Sequence, residues 1–466
     1  MNEGALYKSV AELNRMLRAK HVSPVELTRE YIKRAERLDP QLFAVVTFTE
    51  ELAMSQARAA EAEIMKGKIR GRLHGIPWGA KDLLATKGIP TQWGCPAYQE
   101  QVFDYDATVV GKLRDAGAVL IAKLALGELA SGARWFGGTT RCPWDPMRSS
   151  SGSSAGPGSA TAAGAVGFGV GTETLGSIIS PAATNGVVGL RPTFGRVSRY
   201  GAMTLSWTMD KIGPLCRTVE DCAWVFDAIR GTDPLDLAAV DAPFRFSAHS
   251  PINGKKIGIL RNEFETPSDA EVRKILADAL KVLAGLGLIL EEVYLDDFPY
   301  QDIARYTINV EAACVFEPLW TSGKIDRLIN KQRAIDWSAA RLLPATDYLK
   351  MQRVRAEICD YASRLFKKYA ALVAPSTAAP AALVEELAAV NSVAAAAATI
   401  VNGNGGSSAF GNVTGMPAIS VPCGFTAAGL PLGIVFLGPA FDEAGILRLA
   451  YAYEQANHWH ERHPKL

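Results

Sequence analysis

Residues 149–170 consist almost wholly of serine, glycine and alanine, and this run constrains the fold more than any other part of the chain. Read as a linker, Ser149–Gly158 would be polar and flexible. The alanine-rich half, Ser159 to Val166, instead suits a helix packed close to its neighbours. The reading is a Ser/Gly loop running into a buried helix. Just beyond it, Gly171-Thr172-Glu173-Thr174-Leu175-Gly176-Ser177-Ile178 sets a serine in a second glycine- and hydroxyl-rich segment. The chain has six histidines, and His249 alone lies within a hundred residues of Ser177. A nucleophilic serine in that setting needs a base other than imidazole, and lysine is the natural candidate.

The surrounding chain alternates helical and strand-type segments. From about residue 73 to 230 glycine is dense and charge is thin, and the strand-type Val119–Ala122 follows the helical Val109–Ala116, which predicts α/β layers. Upstream, Ser9-Val10-Ala11-Glu12 and Ser23-Pro24-Val25-Glu26 are capping boxes that open helices to about Arg18 and over Leu27–Leu38. Downstream, residues 300–405 carry Tyr306, Phe316, Trp320, Trp337 and Tyr348, then the run Ala394–Ala398. Strand-like Ala418–Val421 and Leu432–Leu437 and a helix over Glu443–Gln455 close the chain. No fixed-period repeat occurs.

With 466 residues, 48% hydrophobic and 21% charged, the chain can bury a large core. A net charge of +1 gives no global field for nucleic acid or an anionic membrane. No apolar run reaches the roughly 18–20 residues of a membrane span. Met1–Gly4 opens without a basic segment ahead of an apolar one, so a cytoplasmic location is expected. Seven cysteines without a Cys-x-x-Cys pair or a Cys/His cluster argue against a disulfide framework and a zinc site. His458, His460 and His463 read as a solvated tail. Ser149–Gly158 lacks the Gly-Lys-Ser/Thr ending of a nucleotide loop.

Several motifs occur in an order that resembles the amidase signature family. Gly75-Ile76-Pro77-Trp78-Gly79-Ala80-Lys81-Asp82 is similar to its lysine motif, and Ser151-Gly152-Ser153-Ser154-Ala155-Gly156 to its Gly-Gly-Ser-Ser-Gly-Gly motif. Gly171–Pro181 resembles its Gly-x-Asp-Thr-Gly-Gly-Ser-Ile-Arg-x-Pro motif. Gly189–Ser198 and Gly415–Gly424 continue the match, which spans about residues 7–457. The resemblance implies a mixed twisted sheet between layers of helices in a single amidase domain over 1–466. Its parts would be N-terminal helices (7–70), the signature core (71–230), a variable substrate-pocket region (300–405) and C-terminal strands and helix (406–457).

Carried over by residue, the resemblance makes Lys81 the general base, Ser153 a bridging serine held through a cis peptide bond, and Ser177 the acyl-accepting nucleophile. Ser154 supports the same network. The N–H groups of Thr174, Leu175, Gly176 and Ser177 would form the oxyanion hole, each donor worth about 3 kcal/mol of barrier. The physics agrees: Lys81 can take a proton only when neutral, and its apolar neighbours Ile76, Pro77, Trp78, Ala80, Leu83 and Leu84 favour that state. Asp82 would oppose it, so its side chain is expected to turn away. Trp135 and Phe136, with Phe316 and Trp320, are the candidate pocket residues.

The expected activity is hydrolysis of a small-molecule amide, with ester or carbamate as further options, through an acyl-enzyme and without metal or organic cofactor. The aromatics of 306–348 favour an uncharged acyl or aryl amide. No nucleic-acid or membrane partner is implied, and a homodimer is left open. Three departures bear on specificity: Leu175 for a glycine, Ile179-Ser180 for Arg-x, and Cys142 for an asparagine. Gly195–Gly201 is similar to the A subunit of glutamyl-tRNA(Gln) amidotransferase, a rival reading in which glutamine is hydrolysed within a complex. Against it, Gly403–Phe410 offers no carboxylate for a glutamine ammonium, which would be costly to bury unpaired. A non-catalytic binding or assembly module is the remote alternative.

Overall fold

The computed structural model describes residues 3–389 and 406–466. Ala394–Ala398 and Gly403–Gly405 lie outside the described residues. Eleven strands form one mixed sheet: β1 (Val45–Phe48), β2 (Pro77–Lys81), β3 (Val119–Leu124), β4 (Phe168–Glu173), β5 (Val188–Arg191), β6 (Lys211–Cys216), β7 (Lys256–Leu260), β8 (Ile289–Val293), β9 (Ala371–Pro375), β10 (Ala418–Phe425) and β11 (Pro431–Leu437). Their spatial order is β1-β3-β2-β4-β6-β5-β10-β11-β9-β7-β8. β2 runs parallel to both β3 and β4, whereas β4 is antiparallel to β6, with Glu173 opposite Lys211.

Helices cover both faces. Every residue of β2, β3, β4, β6, β9 and β11 is buried, and β9 and β11 accordingly read as continuous rather than alternating apolar runs. The faces are nonetheless distinct. Ala371, Val373, Ile434 and Phe436 belong to the larger core, and Leu372, Ala374, Val435 and Leu437 to a second one. Successive strand residues thus feed opposite layers. The mixed sheet between helical layers is the one expected.

Local signals mostly hold. Both capping boxes form, and the helices run Val10–Arg18 and Pro24–Leu42, the second ending at Phe43 in the left-handed region (φ 50°). The alanine-rich helix differs: it spans Ala155–Ala162, starting earlier than Ser159. Pro157 sits in its first turn, where no intrahelical N–H bond is lost, so the helix can begin directly on the serine loop. The C-terminal tail is not free in solvent. The His463 ring stacks on Tyr7 at 4.1 Å, and the Tyr7 hydroxyl donates to the Pro464 carbonyl at 3.2 Å.

The last helix, Glu443–Asn457, is joined to the signature core by charge. Glu443 accepts from Arg196 Nε at 3.2 Å and from the Thr193 N–H and hydroxyl at 3.0 and 2.6 Å. Both charged side chains are fully buried. Glu443→Gln would strand the Arg196 charge, and a stability loss of about 3–5 kcal/mol is expected in urea unfolding.

Candidate active site

Lys81 ends β2, beside the end of β4, and its side chain is fully buried. Its Nζ lies 2.8 Å from Ser153 Oγ, 3.0 Å from Ser154 Oγ, 2.9 Å from Thr172 Oγ1 and 3.3 Å from the Thr172 carbonyl. All are uncharged. Burial therefore dominates and pushes its pKa down to about 7, against the weaker pull of Asp210 and Glu173. A neutral amine keeps two N–H donors and gains a lone pair, so a neighbouring hydroxyl can donate to it. Asp82 does turn away: its carboxylate pairs with buried Lys123 at 3.1 Å and accepts the Gln92 N–H at 2.9 Å.

The serine loop is stitched to β4. Ser154 Oγ donates to the Thr172 carbonyl at 3.0 Å and accepts the Thr172 N–H at 3.1 Å. The Ser154 N–H donates to the Ser177 carbonyl at 3.1 Å, so loop and candidate nucleophile are fixed together. The Gly152–Ser153 peptide bond is cis. A Cβ on Gly152 would lie 1.8 Å from the Gly132 carbonyl oxygen, so nothing larger fits there. Ser177 is 8% exposed, and its hydroxyl has no hydrogen-bond partner among the described residues.

The next segment exposes backbone donors. The N–H groups of Leu175, Gly176 and Ser177 have no acceptor among the described residues. Gly176 takes the positive φ (83°), which spares Leu175 that strain. Both ends of this segment are clamped by carboxylates. Asp210 accepts from Thr174 Oγ1 at 2.6 Å and from the Leu205 and Ser206 N–H groups at 2.8 and 3.0 Å. Glu173 accepts from the Ile178 and Ile179 N–H groups at 2.7 and 3.0 Å, from Arg191 at 2.7 Å and from Asn412 at 2.9 Å. Burial opposes the Glu173 charge, but Arg191 and these donors hold its pKa at about 2.

Sequence reading missed Glu173. The available signal was its isolation, since it is the one charged residue between Gly152 and Leu190. A lone charge in a buried run must be paired.

Lys81, Ser153, Ser154 and the Thr174–Ser177 segment come together, and none of the four aromatic candidates lines the cavity beside Thr172 and Thr174. Phe316 is buried and stacks on Trp337 at 5.0 Å, with Trp320 leaning on the same ring. Trp135 and Phe136 pack edge to face at 4.9 Å. A cavity of about 170 Å³ beside Thr172 and Thr174 is walled instead by Leu83, Met203, Leu205, Ile212 and Trp207. Its charges are already committed, Asp210 as above and Arg199 to Asp236 through two contacts of 3.0 Å.

The sequence argument from Gly403–Phe410 is also overturned in part. That tract has no carboxylate of its own, but Glu263 reaches it from β7's flank and accepts from the Ser407 N–H and hydroxyl at 2.7 and 2.6 Å. Among the described residues no group of three or more His, Cys, Asp or Glu is placed to hold a metal ion, and no helix is long and apolar enough to cross a membrane.

A buried lysine hydrogen-bonded to two serines lies at the end of a mixed sheet between helical layers. The chain belongs to the amidase signature family: the family model described as Amidase matches residues 26–447. It is 36% identical to the A subunit of the glutamyl-tRNA(Gln) amidotransferase of Moorella thermoacetica, covering 99% of each chain. Among solved structures it is similar to the peptide amidase of Stenotrophomonas maltophilia (TM-score 0.82, 29% identity, 97% of each chain). A bacterial aryl acylamidase is also similar (TM-score 0.85, 25% identity, 97% of each chain). The chain is accordingly a hydrolase of C–N bonds.

Glu173→Gln should leave Arg191 unpaired in the core. The expected result is a stability loss of about 3–5 kcal/mol, read by thermal unfolding followed by calorimetry.

Proposed function

We propose that the chain is a free-standing amidohydrolase in which Ser177 attacks the substrate carbonyl carbon, Ser153 relays the proton and Lys81 is the base. The observation that carries this is a buried Lys81, its pKa lowered to about 7, within 2.8 Å of Ser153 Oγ, whose loop is hydrogen-bonded to Ser177. As the Ser177 Oγ–carbon bond forms, the Ser177 proton passes to Ser153 Oγ and the Ser153 proton to Lys81 Nζ. The carbonyl oxygen becomes an oxyanion facing the free N–H groups of Leu175, Gly176 and Ser177. The proton returns along the same path to the departing nitrogen, the C–N bond breaks, and an acyl-enzyme remains. Water, deprotonated by the same relay, attacks the ester carbon and releases the acid and Ser177.

The cavity beside Thr174 supports an uncharged, apolar acyl or aryl group on the substrate, since its walls carry no uncommitted charge. Esters and carbamates fit the same chemistry. The second reading, a glutamine-hydrolysing component of an amidotransferase complex, is favoured by the similarity to amidotransferase A subunits. Turnover of aliphatic amides or anilides by the purified chain, absent with Ser177→Ala, supports the first. Glutamine turnover that needs added partner proteins supports the second.

Ser177→Ala should abolish turnover, and Lys81→Ala should lower kcat by at least about 10²-fold. Active Ser177→Ala protein would sink the mechanism. Because Lys81 must be neutral to accept a proton, kcat/KM should rise with pH through about 7 and fall tenfold per unit below it. A flat profile between pH 5 and 8 would rule out Lys81 as the base.

A further inference from the structure

A second cavity, of about 470 Å³, is lined in part by Ser408, whose Oγ lies near Gly176. Glu263, Asp296, Tyr294, Tyr300, Ser376 and Ser408 contribute to its lining, and among its described lining residues there is no lysine, arginine or histidine. It is therefore an anionic and aromatic cavity without a counter-cation. Glu263 is half-buried there, its donors being the uncharged N–H and hydroxyl of Ser407. Burial without a cationic partner pushes its pKa up to about 7, despite those two bonds. Arg261 nearby is engaged elsewhere, with Glu265 at 2.9 Å. A protonated amine entering the cavity would supply the missing charge and favour the ionised carboxylate.

The cavity is coupled to the candidate active site through one residue. Ser408, exposed at its edge, has its Oγ 3.4 Å from the position a Cβ would occupy on Gly176. Its neighbour Ser407 is the residue bonded to Glu263. Glu263 therefore stands on the order of 10 Å from Gly176, given the lengths of the intervening bonds. An α-amine would fall short of it, whereas an amine several bonds along the acyl chain would reach.

We propose that this cavity binds the protonated amine of substrates that carry it several bonds from the scissile carboxamide, with Glu263 as the residue that reads it. The inference rests on the amidase reading above but not on its preference for an uncharged acyl group, since here the acyl chain runs toward Ser408 rather than into the cavity beside Thr174.

The test separates binding from turnover. Ser177→Ala protein is titrated calorimetrically with 6-aminohexanamide and with heptanamide, its uncharged isostere. Tighter binding of 6-aminohexanamide, by roughly ten- to hundredfold, is expected, and adding Glu263→Gln should erase that preference. Equal affinities, or a preference that survives Glu263→Gln, would overturn the proposal and leave Glu263 as a helix cap. In protein with Glu263 intact, butylammonium chloride should compete with 6-aminohexanamide and butanol should not; the reverse would also overturn it. These outcomes stand even if the wild type hydrolyses neither amide, a result that would strike the amidase reading alone.

Discussion

The buried pair of Glu173 and Arg191 is the interaction on which the rest of the site depends. Neither side chain exceeds 2% exposure, so each charge must be met by fixed partners rather than water. Glu173 spends one carboxylate oxygen on Arg191 and Asn412 and the other on the first N–H groups ahead of the Ile179–Asn185 helix. Arg191 spends its remaining donors on the Met416 carbonyl, at 3.2 and 3.0 Å. Four separate chain segments are thereby locked around the end of β4. With Asp210 holding Thr174, the stretch from Thr174 to Ile178 is fixed at both ends and can present its N–H groups without reorganising.

Three buried lysines show how neighbours decide what the same side chain can do. Burial lowers the pKa of each of them. Lys123 meets Asp82 at 3.1 Å and is a structural ion pair. Lys211 stands opposite Glu173 in the β4–β6 ladder, yet its Nζ has no hydrogen-bond partner among the described residues. Lys81 alone is ringed by hydroxyls. That setting removes the charge that would otherwise hold the proton and leaves acceptors and donors through which a proton can move.

The candidate site was legible where chemistry is carried by short contiguous motifs. Lys81, Ser153 and Ser177 each sit in a segment whose glycines and hydroxyls mark it, and the capping boxes at Ser9 and Ser23 are equally local. Partnerships across the sheet were not legible. Thr172 faces Lys81 because β2 and β4 are parallel neighbours, and Glu173 meets Arg191 from two strands away, with the later strand β6 inserted between β4 and β5. Periodicity encodes neither pairing. The aromatics of 306–348 carry no comparable local mark: a large ring signals burial area, and Phe316 and Trp337 stack on each other.

The departures from the family pattern fit this division between chemistry and selectivity. Ile179 stands where the resemblance expects arginine, and it is buried in the second core with Met209, Ile303 and Phe410, with Leu175 packed at the margin of that core. Cys142 is likewise buried, its Sγ directed at the Thr184 carbonyl at 3.5 Å. The backbone N–H of Ile179 serves Glu173, so this contact does not depend on which side chain stands at 179. No lysine, arginine or histidine on the described lining offsets the carboxylates of the cavity edged by Ser408. On the proposed reading, selectivity turns on which charges are missing as much as on which groups are present.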